Sequence, residues 1–113
     1  MSWRAQGMRT WILQRLTALF MLIYMLVYAV IIVRHPIGDF AAWRGLFASP
    51  LSNIATEVFF FSLLFHAWVG VRDILIDYVP ISGLRLVLWT LVTLCIIAIG
   101  LWGSMILLSV VRL

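Results

Sequence analysis

One stretch of this 113-residue chain holds most of the groups that could do chemistry. At about 100° per residue, Ser62, Gly70, Asp73 and Asp77 all fall within about 40° of His66 on a helix. One helix face then carries a hydroxyl, an imidazole, a bare glycine and two carboxylates in order. The flanking residues are apolar enough to lie in a membrane, where every ionisable group is costly and needs a reason. Helix rise, about 1.5 Å per residue, puts His66 near the middle of its span. Two readings of it stand. The imidazole could hydrogen-bond a neighbouring helix and contribute about 1 kcal/mol to association. Alternatively, Gly70 one turn away clears the backbone for a flat macrocycle, and Ser62 one turn the other way is also small. Small residues on either side of an inward imidazole suit a haem b pocket, where a neutral ring nitrogen ligates iron.

This chain cannot supply both axial ligands of such a haem. The other histidine, His35, lies at the far end of the first span, roughly 15–20 Å away along the bilayer normal by helix rise. Two axial nitrogens must lie roughly 4 Å apart. A second histidine therefore belongs to another polypeptide, and His35 is expected to be a hydrated interfacial side chain. Arg15, one turn inside Trp11, reads either as a snorkelling anchor or as a fork for a haem propionate. Arg72, Asp73, Asp77 and Tyr78 crowd the cytoplasmic end of the second span, ahead of Pro80. Tyr78 could be an interfacial belt aromatic; a phenol beside a carboxylate can also hydrogen-bond a quinone carbonyl and deliver a proton. Glu57 lies about 180° around the helix from His66, so the acidic groups do not form one relay.

The elements that must position these groups follow from composition. Of the residues, 65% are hydrophobic and 11% charged, against about 45–50% and about 25% in a soluble domain. The solvent is lipid. Three stretches are long enough to cross a hydrocarbon core of about 30 Å: about 11–34, 52–77 and 85–111. The expected fold is an all-α membrane protein, one membrane-anchor domain over 1–113, with three transmembrane helices in a bundle. Phe40, Trp43 and Phe47 make an apolar stripe on a short interfacial helix in the first loop. Gly100 and Ser104, with Gly103 nearby, form a small-residue face on the third span whose partner helix is left open. The first span is too long for a signal peptide and no Ala-x-Ala-like site follows it. No Arg- and Ser-rich transit peptide precedes it, so a bacterial inner membrane is expected. All eight basic residues are arginines, and the net charge is +4. Arg4, Arg9, Arg15, Arg72 and Arg85 fall on one side against Arg34, Arg44 and Arg112, placing the N-terminus in the cytoplasm and the C-terminus in the periplasm. Such scattered charge is no nucleic-acid footprint. A single cysteine, Cys95, excludes an internal disulfide and any iron–sulfur or cysteine zinc site made by this chain alone.

The run Phe65-His66-Ala67-Trp68-Val69-Gly70-Val71, then Asp77-Tyr78 and Leu84-Arg85-Leu86, resembles the small, cytochrome b-type membrane anchor of bacterial succinate dehydrogenase. The resemblance extends to Trp43-Arg44-Gly45-Leu46-Phe47-Ala48-Ser49 and Arg15-Leu16-Thr17-Ala18, and covers the chain from about Ile12 to Leu86. The third span matches only as an apolar stretch, and the short polar lead before Trp11 has no counterpart. The resemblance implies that His66 is one axial ligand of haem b, the other coming from a larger cytochrome b anchor subunit. It implies that Tyr78, with Asp77 beside it, hydrogen-bonds ubiquinone, and that Arg15 lies near the haem propionates. It also implies an iron–sulfur subunit and a flavoprotein subunit as partners, and a non-catalytic share in succinate oxidation within the tricarboxylic acid cycle and aerobic respiration. Two other readings remain: an anchor of fumarate reductase, or a small transporter or channel subunit using Glu57 or the His66 face.

Overall fold

In hydrocarbon no water satisfies backbone N–H and C=O groups, so an apolar run must satisfy them internally as a helix. The computed structural model describes residues 3–113, with side chains from residue 7 onward, and contains four helices: α1 (Trp3–Arg34), α2 (Phe40–Ala48), α3 (Pro50–Tyr78) and α4 (Ser82–Val110). Three of them, α1, α3 and α4, are long and apolar enough to cross a membrane. The molecule measures 50 × 25 × 24 Å, longer than the core it must span. The helices run past the expected spans at the starts of all three (11, 52 and 85) and at the end of the second (77), because helical pairing continues into the polar flanks where charge no longer costs; α1 ends with its span at Arg34, and α4 ends at Val110, one residue short of 111. Arg4, one of the arginines used to orient the chain, lies outside the residues whose side chains are described.

Each break has a local cause. α1 stops at Arg34, where His35-Pro36 follows and proline can neither donate a hydrogen bond nor accept helical crowding. Asp39 caps α2, its carboxylate accepting from the Ala42 N–H at 2.8 Å. Ser49 is extended, as a residue before proline prefers, and Pro50 opens α3 where its missing N–H is harmless. Val79, also extended, precedes Pro80 and ends α3.

α3 is the central helix. α1 and α4 both pack on it, with no contact between the two among the described residues, and α2 lies across α3 and α4. The outer half is tied by polar groups that find partners within the chain. Tyr24 hydrogen-bonds Thr56 at 2.6 Å and Tyr28 hydrogen-bonds Ser52 at 2.5 Å, joining α1 to α3. Asn53, 4% exposed, donates to the Phe47 carbonyl at 3.0 Å and the Leu107 carbonyl at 2.7 Å, joining α2, α3 and α4 through one amide. The Arg112 N–H donates to the Ala48 carbonyl at 2.8 Å. Phe47 faces Tyr28, with Trp43 edge-on to it, so the α2 stripe packs inward as well as lying at the interface. The glycine face of α4 meets α3: Gly103 lies beneath the Phe60 ring and Gly100 beneath Leu64 and Phe61. That small-residue face therefore serves α3.

Candidate functional site

Toward the end away from α2 several buried polar atoms are left without partners. Gln14 Oε1, His66 Nδ1 and Arg72 Nε are all buried and without hydrogen bonds among the described residues. They line one cavity of about 310 Å³ between α1 and α3. From α3 come His66, Val69, Arg72 and Asp73; from α1 come Gly7, Thr10, Trp11, Gln14, Arg15 and Ala18. The α1 contribution has a simple origin. Gly7, Trp11, Gln14 and Ala18 recur at steps of four, three and four, one stripe of a helix. That stripe is the signal in the sequence for Gln14, a residue absent from the expected site because polar residues near a span's end look like ordinary flanks.

The cavity brings His66 and Arg15 together, two of the four expected site residues. Arg15 lies over the Trp11 ring, its guanidinium carbon 5.3 Å from the ring centroid, a cation–π contact. Arg72 pairs with Asp73 at 3.3 Å, both side chains being substantially exposed. An exposed pair of this kind is worth under about 1 kcal/mol, so the Arg72 guanidinium is held only loosely.

Asp77 and Tyr78 do not line this cavity. The helical face centred on His66 splits along its length. Asp73 turns toward α1, while Gly70, Asp77 and Tyr78 fall about 20–120° around the helix on the other side of His66. Among the described residues, no side chain and no other helix comes within 4 Å of a Cβ placed on Gly70. Leu63, Ile74 and Tyr78 on the same side are exposed, Tyr78 by 79%. His66 therefore stands at the border between an α1-lined cavity and an open flank of α3. Such a flank can receive another polypeptide, and the border position lets one imidazole serve both.

His35 is exposed at the outer end, far from the cavity, as expected. Glu57 accepts a hydrogen bond from Ser104 on α4, and its other carboxylate oxygen is buried without a partner. It does not line the His66 cavity. Among the described residues, no group of three or more His, Cys, Asp or Glu side chains converges as a metal site. Cys95 is free and exposed on α4.

Residues 1–102 match the family of succinate dehydrogenase/fumarate reductase transmembrane subunits. Over 99 residues, 87% of this chain and 85% of the other, the sequence is 40% identical to the succinate dehydrogenase hydrophobic membrane anchor subunit of Coxiella burnetii (strain RSA 493 / Nine Mile phase I).

Proposed function

Since this chain belongs to the succinate dehydrogenase/fumarate reductase transmembrane-subunit family, we propose that it is the hydrophobic anchor of a bacterial succinate dehydrogenase. In this reading it shares haem b with a larger cytochrome b anchor subunit and forms part of the ubiquinone-reduction site. It has no activity alone; it docks an iron–sulfur subunit and a flavoprotein subunit at the cytoplasmic face of the inner membrane.

The observation that carries the haem reading is the unpaired, buried His66 Nδ1 in a cavity that also presents Arg15 and Arg72. An imidazole in a dry site normally has its nitrogens engaged by a ligand or a hydrogen bond. The donor set fits the group: one imidazole for iron, and two guanidinium groups suited to the carboxylates that a haem carries. The cavity is smaller than a macrocycle and opens beside the bare flank at Gly70, which fits a group shared with a second chain. Haem b, when bound, would supply a one-electron store near the quinone site. His66 would act as one axial ligand, held at the α1/α3 border. Arg15 and Arg72 would neutralise the propionates, Arg72 by leaving its weak pair with Asp73.

Tyr78 and Asp77 have a different task. At the cytoplasmic end of α3 the Tyr78 phenol would donate a hydrogen bond to a quinone carbonyl, and Asp77 beside it would help replace the proton given up. Their exposure supports a pocket completed by other subunits rather than one enclosed here.

The test is a His66→Leu variant purified with its partner subunits. It should lose or shift the low-spin haem b spectrum while the assembly still forms on the α3 flank. An unchanged spectrum would place the ligand elsewhere. The family covers fumarate reductase anchors equally, and the direction of turnover belongs to the soluble subunits. The transporter reading is disfavoured by Glu57, whose bond to Ser104 turns it to the α3/α4 side, away from the His66 cavity.

A further inference from the structure

Two spaces between α3 and α4 lie outside the His66 cavity, the lower one sharing Arg72 with it. The lower one, about 280 Å³ at the cytoplasmic end, is lined by Arg72, Leu75, Ser82, Arg85 and Trp89 among others. The upper one, about 410 Å³ and deeper in the span, is lined by apolar side chains such as Leu64, Trp68, Ile96 and Ile97. Trp68 belongs to the upper space and Trp89 to the lower, and their rings stack with centroids 4.7 Å apart. Trp68 is fixed there by its indole N–H, which donates to Thr93 Oγ1 at 3.0 Å. An aromatic pair thus links a cationic mouth to an apolar groove.

The mouth asks for an anion. Two arginines and no carboxylate line it. The Arg85 side chain has no hydrogen bond or ion pair among the described residues, and Arg72 Nε is buried and unpaired. α4 also begins here, with no side-chain cap at Ile81 and no acidic residue in its first turn. Its first N–H groups lack a side-chain acceptor and add a partial positive charge. Guanidinium groups and helix N–H groups together suit phosphate oxygens, whereas the groove above suits hydrocarbon. The groove lies on the far side of α3 from the open flank at Gly70 and Tyr78, so an assembly built on that flank leaves it facing lipid.

We propose that this is a binding site for an anionic glycerophospholipid, its phosphate across Arg72 and Arg85 and one acyl chain running past Trp89 and Trp68 along the α3/α4 groove. The site goes beyond the proposed electron-transfer role; Arg72 borders the His66 cavity as well, so Arg85 is the arginine that belongs to this site and not to that cavity. It would add to the Trp68–Thr93 hydrogen bond in fixing the tilt of α4 against α3.

The test uses the chain purified with its partner subunits and placed in nanodiscs of equal phosphatidylglycerol and phosphatidylcholine. Lipid retained after detergent extraction is then counted by native mass spectrometry. Phosphatidylglycerol should exceed phosphatidylcholine by fivefold or more, about the factor one arginine supplies at an anionic surface. Arg85→Gln should remove about fivefold of that preference. Arg9→Gln, the same charge change at the same end but outside the groove, should leave it unaltered. Ile97→Trp fills the upper groove without touching charge and should lower retention of both lipids. Equal retention of the two lipids by the unaltered assembly overturns the proposal, as does equal loss in Arg85→Gln and Arg9→Gln, which would mean surface charge alone. Full retention in Ile97→Trp overturns the acyl-chain half.

Discussion

Tyr78 is the last residue of α3, and its phenol lies in the open with 79% of its surface exposed. Among the described residues nothing hydrogen-bonds it, so removing its hydroxyl should cost the fold little. That makes Tyr78→Phe a clean probe. A lost hydrogen bond to bound quinone is worth up to about tenfold in turnover, and lost proton delivery about a hundredfold or more. Succinate–quinone reductase activity should therefore fall, by up to about tenfold if only the hydrogen bond is lost and by about a hundredfold or more if proton delivery is lost too, while dye-linked succinate oxidation and the haem spectrum stay as they were. Unchanged quinone reduction would remove Tyr78 from the site. His66 differs in kind, because its Nδ1 is buried with no partner and the cost of that is borne by the isolated chain. Gln14 and Arg72 share the condition in the same cavity. Three orphaned polar atoms around one space are what a chain carries when its ligand comes from outside.

Two glycines show how differently the helices use the same residue. A Cβ on Gly103 would collide with the Phe60 ring, whereas a Cβ on Gly70 would meet no side chain and no other helix within 4 Å among the described residues. Gly103→Leu should force the Phe60 ring aside and cost about 1–3 kcal/mol of α3–α4 packing. It would be read as a lower melting temperature of the detergent-solubilised protein. Gly70→Leu should leave the melting temperature of the chain alone unchanged and instead lower haem content and recovery of the larger anchor subunit. The reverse pattern would exchange the inner and outer faces of α3. The sequence is a good guide to some of this and a poor one to the rest. The three spans and the α2 stripe are readable because periodicity and length state which residues share a face. Periodicity does not state which neighbour that face meets. Gly100 and Gly103 are recognisably small, yet only packing shows Leu64 and Phe60 above them. Likewise Ser62, Gly70 and Asp77 group with His66 at 100° per residue, but α1 covers one edge of that face and leaves the other bare. Gln14 does not stand out while its partner helix is unknown, and an amide such as Asn53 near a span's end resembles a flank until its two carbonyl partners on different helices are seen.

At the scale of the molecule the two ends are built differently. At the outer end α2 closes over α3 and α4, and Tyr28, Asn53 and the Arg112 N–H complete hydrogen bonds within the chain. At the other end α1 and α4 each meet α3, and the unpaired Gln14 and His66 atoms, loosely held arginines and the exposed Tyr78 lie there. A subunit tied more fully at one end than at the other is suited to assemble through the less tied end. Which side of the membrane that end faces follows from charge: Arg9, Arg15, Arg72 and Arg85 lie there, against Arg34, Arg44 and Arg112 opposite. The positive-inside rule predicts that the less tied end is cytoplasmic, where soluble subunits would reach it. Three crossings put Met8 and Leu113 on opposite sides, and both are exposed. In a Cys95→Ser background, Met8→Cys should react with a membrane-impermeant maleimide only in inverted vesicles, and Leu113→Cys only in intact spheroplasts. Labelling of both from one side would break the three-span topology. The opposite pattern would carry Tyr78, the His66 cavity and the arginine-lined mouth to the outer face, out of reach of any cytoplasmic electron donor, and the quinone, haem and docking roles would fall together.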